Sequence, residues 1–108
     1  MRVVNAIECR RAILSSTGLL LLCLTRKASL PSAQLLTAVE GLPSHLAARV
    51  QCLQVDLDAE PGFMDELRVH KVPELLVFSG GRIVERTEGE MTTEQLVGLL
   101  EWVLSRAS

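Results

Sequence analysis

Few side chains in this sequence have the chemistry to act as nucleophiles, redox groups or ligands. Cys9, Cys23 and Cys52 are separated by fourteen and twenty-nine residues, so none of them belongs to a Cys-x-x-Cys pair. An odd number of widely spaced cysteines favours reduced, mostly buried thiols in a reducing compartment. We therefore expect a cytoplasmic protein in which Cys23 is a small buried hydrophobe with a raised pKa. The alternative is a thiol-dependent redox protein that uses Cys23 or Cys52 alone.

Metal chemistry has too few ligands here. The only histidines, His45 and His70, form no ligand motif with each other or with the cysteines, so no metal site is predicted. Asp56, Asp58 and Glu60 crowd the end of a predicted strand, but a cation site would need more oxygen ligands at regular loop spacing. We interpret these carboxylates as groups at a strand end and a helix N-terminus, where they suit the helix dipole. No cofactor is predicted.

The composition is that of one globular domain over residues 1–108. The chain is 48% hydrophobic and 22% charged, with a net charge of −2. This near-neutral charge argues against binding to nucleic acid or to a membrane surface. The aromatic residues, Phe63, Phe78 and Trp102, are too few for a platform on which bases stack. The apolar run at 18–24 is far shorter than the ~20 residues that span a bilayer.

Apolar periodicity predicts alternating strands and helices. Asn5 with Glu8 forms a capping-box pattern, and Ile7, Arg11 and Leu14 continue the helix after it. The predicted strands are 2–4, 19–24, 50–57, 75–78 and 82–87. The predicted helices begin at Asn5, near Ser29 or Ser32, at Ser44, at Pro61 and at Thr92 or Thr93. This order predicts an α/β fold with a central mixed five-stranded sheet and helices on both faces.

A Val-Pro step and a Gly-Gly turn bracket the fourth predicted strand. Pro73 cannot donate to a sheet ladder, so it belongs at the first residue of a strand. Gly80 and Gly81 supply the positive φ that a tight hairpin turn requires. Ile83, in the last strand, is expected to point inward. The Val72-Pro73 step is typical of a backbone that is held for binding.

This order of elements resembles the thioredoxin family. The residues that carry the resemblance are Val55-Asp56-Leu57-Asp58, Pro61, Val72-Pro73, Leu75-Leu76-Val77-Phe78, Gly81 and Gly89. The resemblance implies that the Val72-Pro73 bond is cis and that it packs against the active-site loop. It covers nearly the whole chain, except that the first strand is short.

The resemblance also implies that the dithiol chemistry of the family is lost. Ser29-Leu30-Pro31-Ser32 stands where thioredoxins have Cys-Gly-Pro-Cys. The alignment implies five further replacements. Ala28 and Thr25 stand where the family has two tryptophans, and Ala33 stands where it has a lysine. Cys23 and Gln54 stand where it has a buried acid and the lysine partner of that acid. Because disulfide exchange requires an attacking thiolate and a resolving thiol, no such enzyme activity is expected.

The two loops keep a binding function in this interpretation. In the family they line a groove, and the residue before the cis-proline pairs through its backbone with an extended peptide. The predicted groove residues are Ala28, Ser29, Leu30, Pro31, Ser32, Val72, Pro73 and Glu74. We thus predict a redox-inactive, chaperone-like module that binds another protein or peptide.

Two further interpretations stay open. The loops are either a working groove or a relic that the domain keeps for folding. The short first strand leaves a sheet edge less well covered, and Trp102 lies on the last helix, so a scaffold that forms a homodimer is a third hypothesis.

Overall fold

The computed structural model describes residues 1–106. Its ten elements follow the predicted order and are, with their bounds, β1 (Arg2–Val3), α1 (Ala6–Ser15), β2 (Leu19–Thr25), α2 (Leu30–Glu40), α3 (Ser44–Ala47), β3 (Val50–Asp56), α4 (Gly62–Glu66), β4 (Glu74–Ser79), β5 (Arg82–Glu88) and α5 (Thr93–Arg106). No helix within these residues is both long and apolar enough to cross a membrane.

The five strands form one mixed sheet in the order β1-β3-β2-β4-β5. All seven residues of β2 are buried, as expected for an apolar strand at the centre of a sheet. Strands β1 and β2 pair with β3 in parallel, whereas β4 pairs antiparallel with β2 and with β5. Gly80 and Gly81, at φ 58° and 80°, make the predicted hairpin turn. The predicted α/β fold is confirmed.

The sheet has a hydrophobic core on each face. Side chains alternate along each strand, so neighbouring residues of β2 and β4 supply opposite cores. The first core packs α1 and α4 against the sheet through Cys9, Leu22, Val55, Phe63 and Leu76. The second packs α2 and α5 through Cys23, Leu35, Leu75, Leu96 and Leu100.

Helix α1 has the predicted cap, and its buried residue is Cys9. The Asn5 side chain accepts a hydrogen bond from Glu8 N–H (2.8 Å), and Glu8 accepts one from Asn5 N–H (3.0 Å). Ile7 and Leu14, which were expected to carry the helix, are 64% and 83% exposed. They lie seven residues apart on one helical face, and the opposite face buries Cys9 against the sheet.

Glu60 caps the first helix and not the helix that follows it in sequence. Its Oε1 accepts a hydrogen bond from Ala6 N–H at 3.0 Å, which satisfies one of the free N–H groups of α1. Asp56 Oδ1 accepts from Asp58 N–H (2.9 Å) within its own turn. The carboxylates of Asp56 and Glu60 thus stabilise a turn at the end of β3 and a helix N-terminus, although the helix is α1 and not the one that follows them.

The prediction that Ile83 points inward is wrong, since its side chain is 40% exposed. Strand β5 is at the outer edge of the sheet, and its pairing with β4 shifts register between Val77 and Phe78. The shift is a local irregularity of the edge strand, and such irregularities re-aim side chains. Ile83 therefore pairs with Phe78 at the rim of the first core.

Candidate functional site

Two loops meet at one end of the sheet because residues 19–24 of the central strand pair with the whole of β4. Leu24, next to the end of β2, lies opposite Glu74, the first residue of β4. The loop that follows β2 leads to Ser29, and the Val72-Pro73 step immediately precedes β4. The register thus brings the loop residues predicted from the sequence to the same end of the sheet.

Ser29 and Ser32 form the N-terminal cap of α2. Ser29 Oγ accepts a hydrogen bond from Ser32 N–H at 3.2 Å, and Pro31 occupies the first turn, where its missing N–H costs nothing. Ser32 Oγ is buried, and it accepts a hydrogen bond from Arg26 N–H at 3.1 Å. Both hydroxyls are therefore used to fix the loop and the helix start.

The Val72-Pro73 peptide bond is cis, as the family resemblance implied. The Pro73 carbonyl accepts a hydrogen bond from Gly89 N–H at 2.7 Å, which ties the step to the end of β5. Gly89 has φ 87°, a conformation that favours glycine. Val72 packs partly against the first core, and its backbone takes part in none of the turn, loop and cap hydrogen bonds found within residues 1–106.

Glu74, like Ser32, is a predicted groove residue whose side chain is buried in the protein. The carboxylate is 3% exposed and accepts two hydrogen bonds from the Arg86 guanidinium, at 2.7 and 3.0 Å. Arg86 also donates to the carbonyl of Leu67 at 2.9 Å, near the end of α4. The hydrogen bond to Glu74 is the largest cause of a raised Arg86 pKa, so the guanidinium stays charged. Glu74 thus offers only its backbone to this end of the sheet.

An apolar side chain and an open crevice extend the surface beside the loops. Leu30, where the family has glycine, is 71% exposed at the start of α2. A crevice of about 450 Å³ is lined by Gln34, Glu90, Met91, Thr92 and Gln95. Gln34 is one turn beyond Leu30, and Glu90 follows the glycine that is bonded to Pro73. The sequence interpretation missed the crevice, although the i, i+4 spacing from Leu30 pointed to Gln34.

The positions of the family's buried acid and lysine now hold an uncharged arrangement. Cys23 lies opposite Gln54, and the Gln54 side chain donates a hydrogen bond to Thr25 Oγ1 at 3.1 Å. Burial raises the pKa of the Cys23 thiol to about 12, and the nearby Cys52 adds to this shift. A thiol with this pKa is almost never ionised at neutral pH, so it cannot move protons as a carboxylate does.

The other two cysteines have the same character. Cys9 is buried, and its burial raises the thiol pKa to about 11 against the opposing effect of Arg10. Cys52 is half-buried, and burial raises its pKa as well. All three thiols are free. Across residues 1–106, no three histidine, cysteine or acidic side chains are grouped to hold a metal ion.

Comparison with known proteins decides the family. The thioredoxin sequence profile matches residues 19–101. The chain belongs to the thioredoxin family. It is 28% identical over 71 residues to a thioredoxin-like protein of Synechocystis, covering 66% of this chain and 68% of that protein. It is 31% identical over 70 residues to a thioredoxin of Chlamydia trachomatis, covering 65% and 68%.

Solved thioredoxin structures share the fold of this chain. Chloroplastic thioredoxin z superposes with a TM-score of 0.87 at 19% identity, covering 97% of this chain and 95% of that one. Plasmodium falciparum thioredoxin gives a TM-score of 0.82 at 18% identity, covering 94% and 97%. This member of the family has Ser29 and Ser32 in place of the paired cysteines that the motif requires.

Restoring the two sulfurs is expected to restore disulfide formation but little turnover. Ser29→Cys/Ser32→Cys places a thiol at the helix N-terminus, where thiol pKa values fall, with a second thiol three residues on. Oxidation should then remove two hydrogen atoms by mass spectrometry. Insulin reduction should stay roughly 100-fold below that of the Chlamydia trachomatis thioredoxin, because no proton acceptor replaces the buried acid at Cys23. The single variant Ser29→Cys is the control, and equal turnover in the double variant and the complete thioredoxin would contradict this explanation.

Proposed function

We propose that this thioredoxin-like protein is a redox-inactive module that binds an extended segment of another protein at the two loops. The observation that supports it best is a contrast between the two loops. The Val72 backbone lies outside the loop hydrogen bonds, whereas the hydroxyls of Ser29 and Ser32 serve as hydrogen-bond acceptors inside their loop. The family's usual activity is thiol–disulfide exchange, and neither serine can form or resolve a mixed disulfide. The proposed role is binding without catalysis, in the cytoplasm, where free cysteines stay reduced.

Backbone pairing would give the affinity. The backbone of Val72 precedes a strand and is outside the loop hydrogen bonds, so it is free to pair with an extended chain. Recognition of this type depends on main-chain groups and therefore does not depend on sulfur. Apolar contact with Leu30 and Ala28, both exposed, would add to it, and the crevice beside Gln34 and Met91 has room for a side chain.

A permanently unfolded protein is a suitable probe. We expect reduced and alkylated α-lactalbumin, which has no reactive thiol, to bind the native protein and to shift the amide resonances around Val72 and Leu30. Leu30→Asp should weaken binding at least ~10-fold, since it puts a charge on the apolar contact. Leu14→Asp is the matched control: Leu14 is 83% exposed on α1, which ends near the Gly80-Gly81 turn at the other end of the sheet.

Two results would contradict the proposal. One is equal affinity of the Leu30→Asp variant and the native protein for the probe, with unchanged resonances around Val72. The other is insulin reduction by the native protein that disappears with Cys23→Ser, because the protein would then be a redox enzyme that uses a single thiol.

A further inference from the structure

A second surface lies at the end of the sheet opposite the cis-proline. A groove of about 350 Å³ runs between β5 and the last turns of α5, and it is lined by Ser79, Val84, Trp102, Val103 and Arg106. Ser79 is the last residue of β4 and pairs with Leu19 at the start of β2, so the groove is a strand length away from the Leu24–Glu74 end. Residues of the proposed peptide site do not line it.

The groove has an apolar base with an exposed aromatic side chain. Val84 is 44% exposed and Trp102 is 48% exposed. A tryptophan flanked by aliphatic side chains at the surface is the residue type that dominates binding energy in protein interfaces. Trp102 is also the only tryptophan in a chain without tyrosine. Its fluorescence therefore reports directly on this groove.

Two arginines give the groove a positive rim. The Arg106 guanidinium lies 4.6 Å from the centroid of the Trp102 ring. Arg82 pairs with Ser79 across the β4–β5 ladder, and residues that pair directly project to the same face. Neither arginine has a carboxylate partner within residues 1–106. Glu85, opposite Val77 on the same face, contributes one negative charge. Because two arginines face this single carboxylate, the rim keeps a net positive charge.

We propose that this groove binds an extended peptide segment of another protein in which a large apolar side chain is flanked by carboxylates. The apolar side chain packs between Val84 and Trp102, and the carboxylates pair with Arg106 and Arg82. An arginine placed over an aromatic ring can still donate its N–H groups, which lie in the plane of the guanidinium, to a carboxylate. This surface is separate from the loop site, so the proposal does not rest on the proposed function.

A second copy of the chain fits this groove less well. A two-fold dimer would place the patch against itself and bring Arg82 and Arg106 close to the same arginines of the partner. The register shift between Val77 and Phe78 also disturbs the edge of β5, and such irregularities oppose pairing of sheet edges. Charge complementarity therefore favours an acidic peptide as the occupant.

Trp102 fluorescence tests the proposal directly. The probe is an acetylated, amidated pentapeptide that alternates aspartate and leucine, and we expect a saturable change in Trp102 emission at up to millimolar peptide. Arg106→Gln should weaken binding at least ~5-fold, and added salt should weaken it further. A pentapeptide that alternates lysine and leucine, and one that alternates aspartate and serine, should not bind. Leu14→Asp is the surface control.

Several results would overturn this inference. They are the absence of saturable binding by the native protein, equal binding of the lysine and aspartate peptides, and equal affinity of Arg106→Gln and the native protein. A Trp102 emission that changes with protein concentration in the absence of peptide, together with a dimer mass in light scattering, would assign the groove to a second copy instead.

Discussion

Replacement of Arg86 by alanine is expected to lower the free energy of unfolding by about 3 kcal/mol, which corresponds to a fall in Tm of roughly 15 °C for a domain of this size. The Glu74 carboxylate is 3% exposed, and Arg86 is its only ionic partner within residues 1–106. Without the guanidinium, a buried negative charge has no compensation. Arg86 also holds the carbonyls of Leu67 and Arg68, which would lose their donor.

Two variants separate this cause from a general effect on the edge strand. Arg82→Ala removes an exposed arginine from the same strand and should change stability by less than ~0.5 kcal/mol. Glu74→Gln/Arg86→Ala removes the buried charge together with its partner and should recover part of the loss, because a neutral amide costs less to bury. Urea unfolding followed by Trp102 fluorescence measures all three variants. An Arg86→Ala loss below ~1 kcal/mol would contradict this explanation, because it would mean that water replaces the guanidinium beside Glu74 in the variant.

Stability is expected to fall steeply as the pH rises above about 9, because the thiols are protonated in the native protein and ionise in the unfolded chain. Burial raises the pKa of Cys23 to about 12 and that of Cys9 to about 11. A raised native pKa means that the unfolded chain releases its proton first. Full stability is therefore present below about pH 8.5, the pKa of an unfolded thiol, and it is lost up to pH 11–12.

Each of the two buried thiols should contribute about 3 kcal/mol of this loss by pH 11, at 1.36 kcal/mol per unit of pKa difference. Urea unfolding at a series of pH values gives the slope. The Cys9→Ala/Cys23→Ala variant starts from a lower stability because it leaves cavities, but its slope should be much shallower. Equal slopes for the two proteins would show that other groups cause the alkaline unfolding.

The same thiols test the redox alternative. Thiol reagents attack the thiolate, so a pKa near 12 slows the reaction of Cys23 about 1,000-fold relative to a thiol of pKa 9 at neutral pH, before steric protection is counted. We expect Cys52, which is half-buried, to react first in the native protein, and Cys9 and Cys23 to react only after unfolding. Fast modification of native Cys23 would favour a single-cysteine redox protein.

The order of elements was predictable because it depends on local patterns. The apolar run of β2, the Asn5 capping box and the Gly80-Gly81 turn each require only neighbouring residues, and the structure has all three. The facing of α1 was not predictable in the same way. Ile7 and Leu14 have helical spacing, yet the sheet packs against the side that holds Cys9.

Part of the candidate site followed from sequence and part did not. The family resemblance placed Ser29 and Ser32 beside Val72-Pro73, and the β2–β4 register brings these two loops to one end of the sheet. The inward turn of Glu74 depends on Arg86, twelve residues away on the next strand, and no local pattern announced that pair.

The sequence by itself determined the fold class and the loss of the paired cysteines. Both follow from residue types at fixed spacing, which a chain carries whether or not it is folded. Tertiary structure alone decided that the hydroxyl of Ser32 accepts a bond from Arg26, that Glu74 is buried against Arg86, and that Val84 and Trp102 share a groove. These contacts depend on how the helices pack on the sheet and on strand register, which set distances between residues that are far apart in the chain.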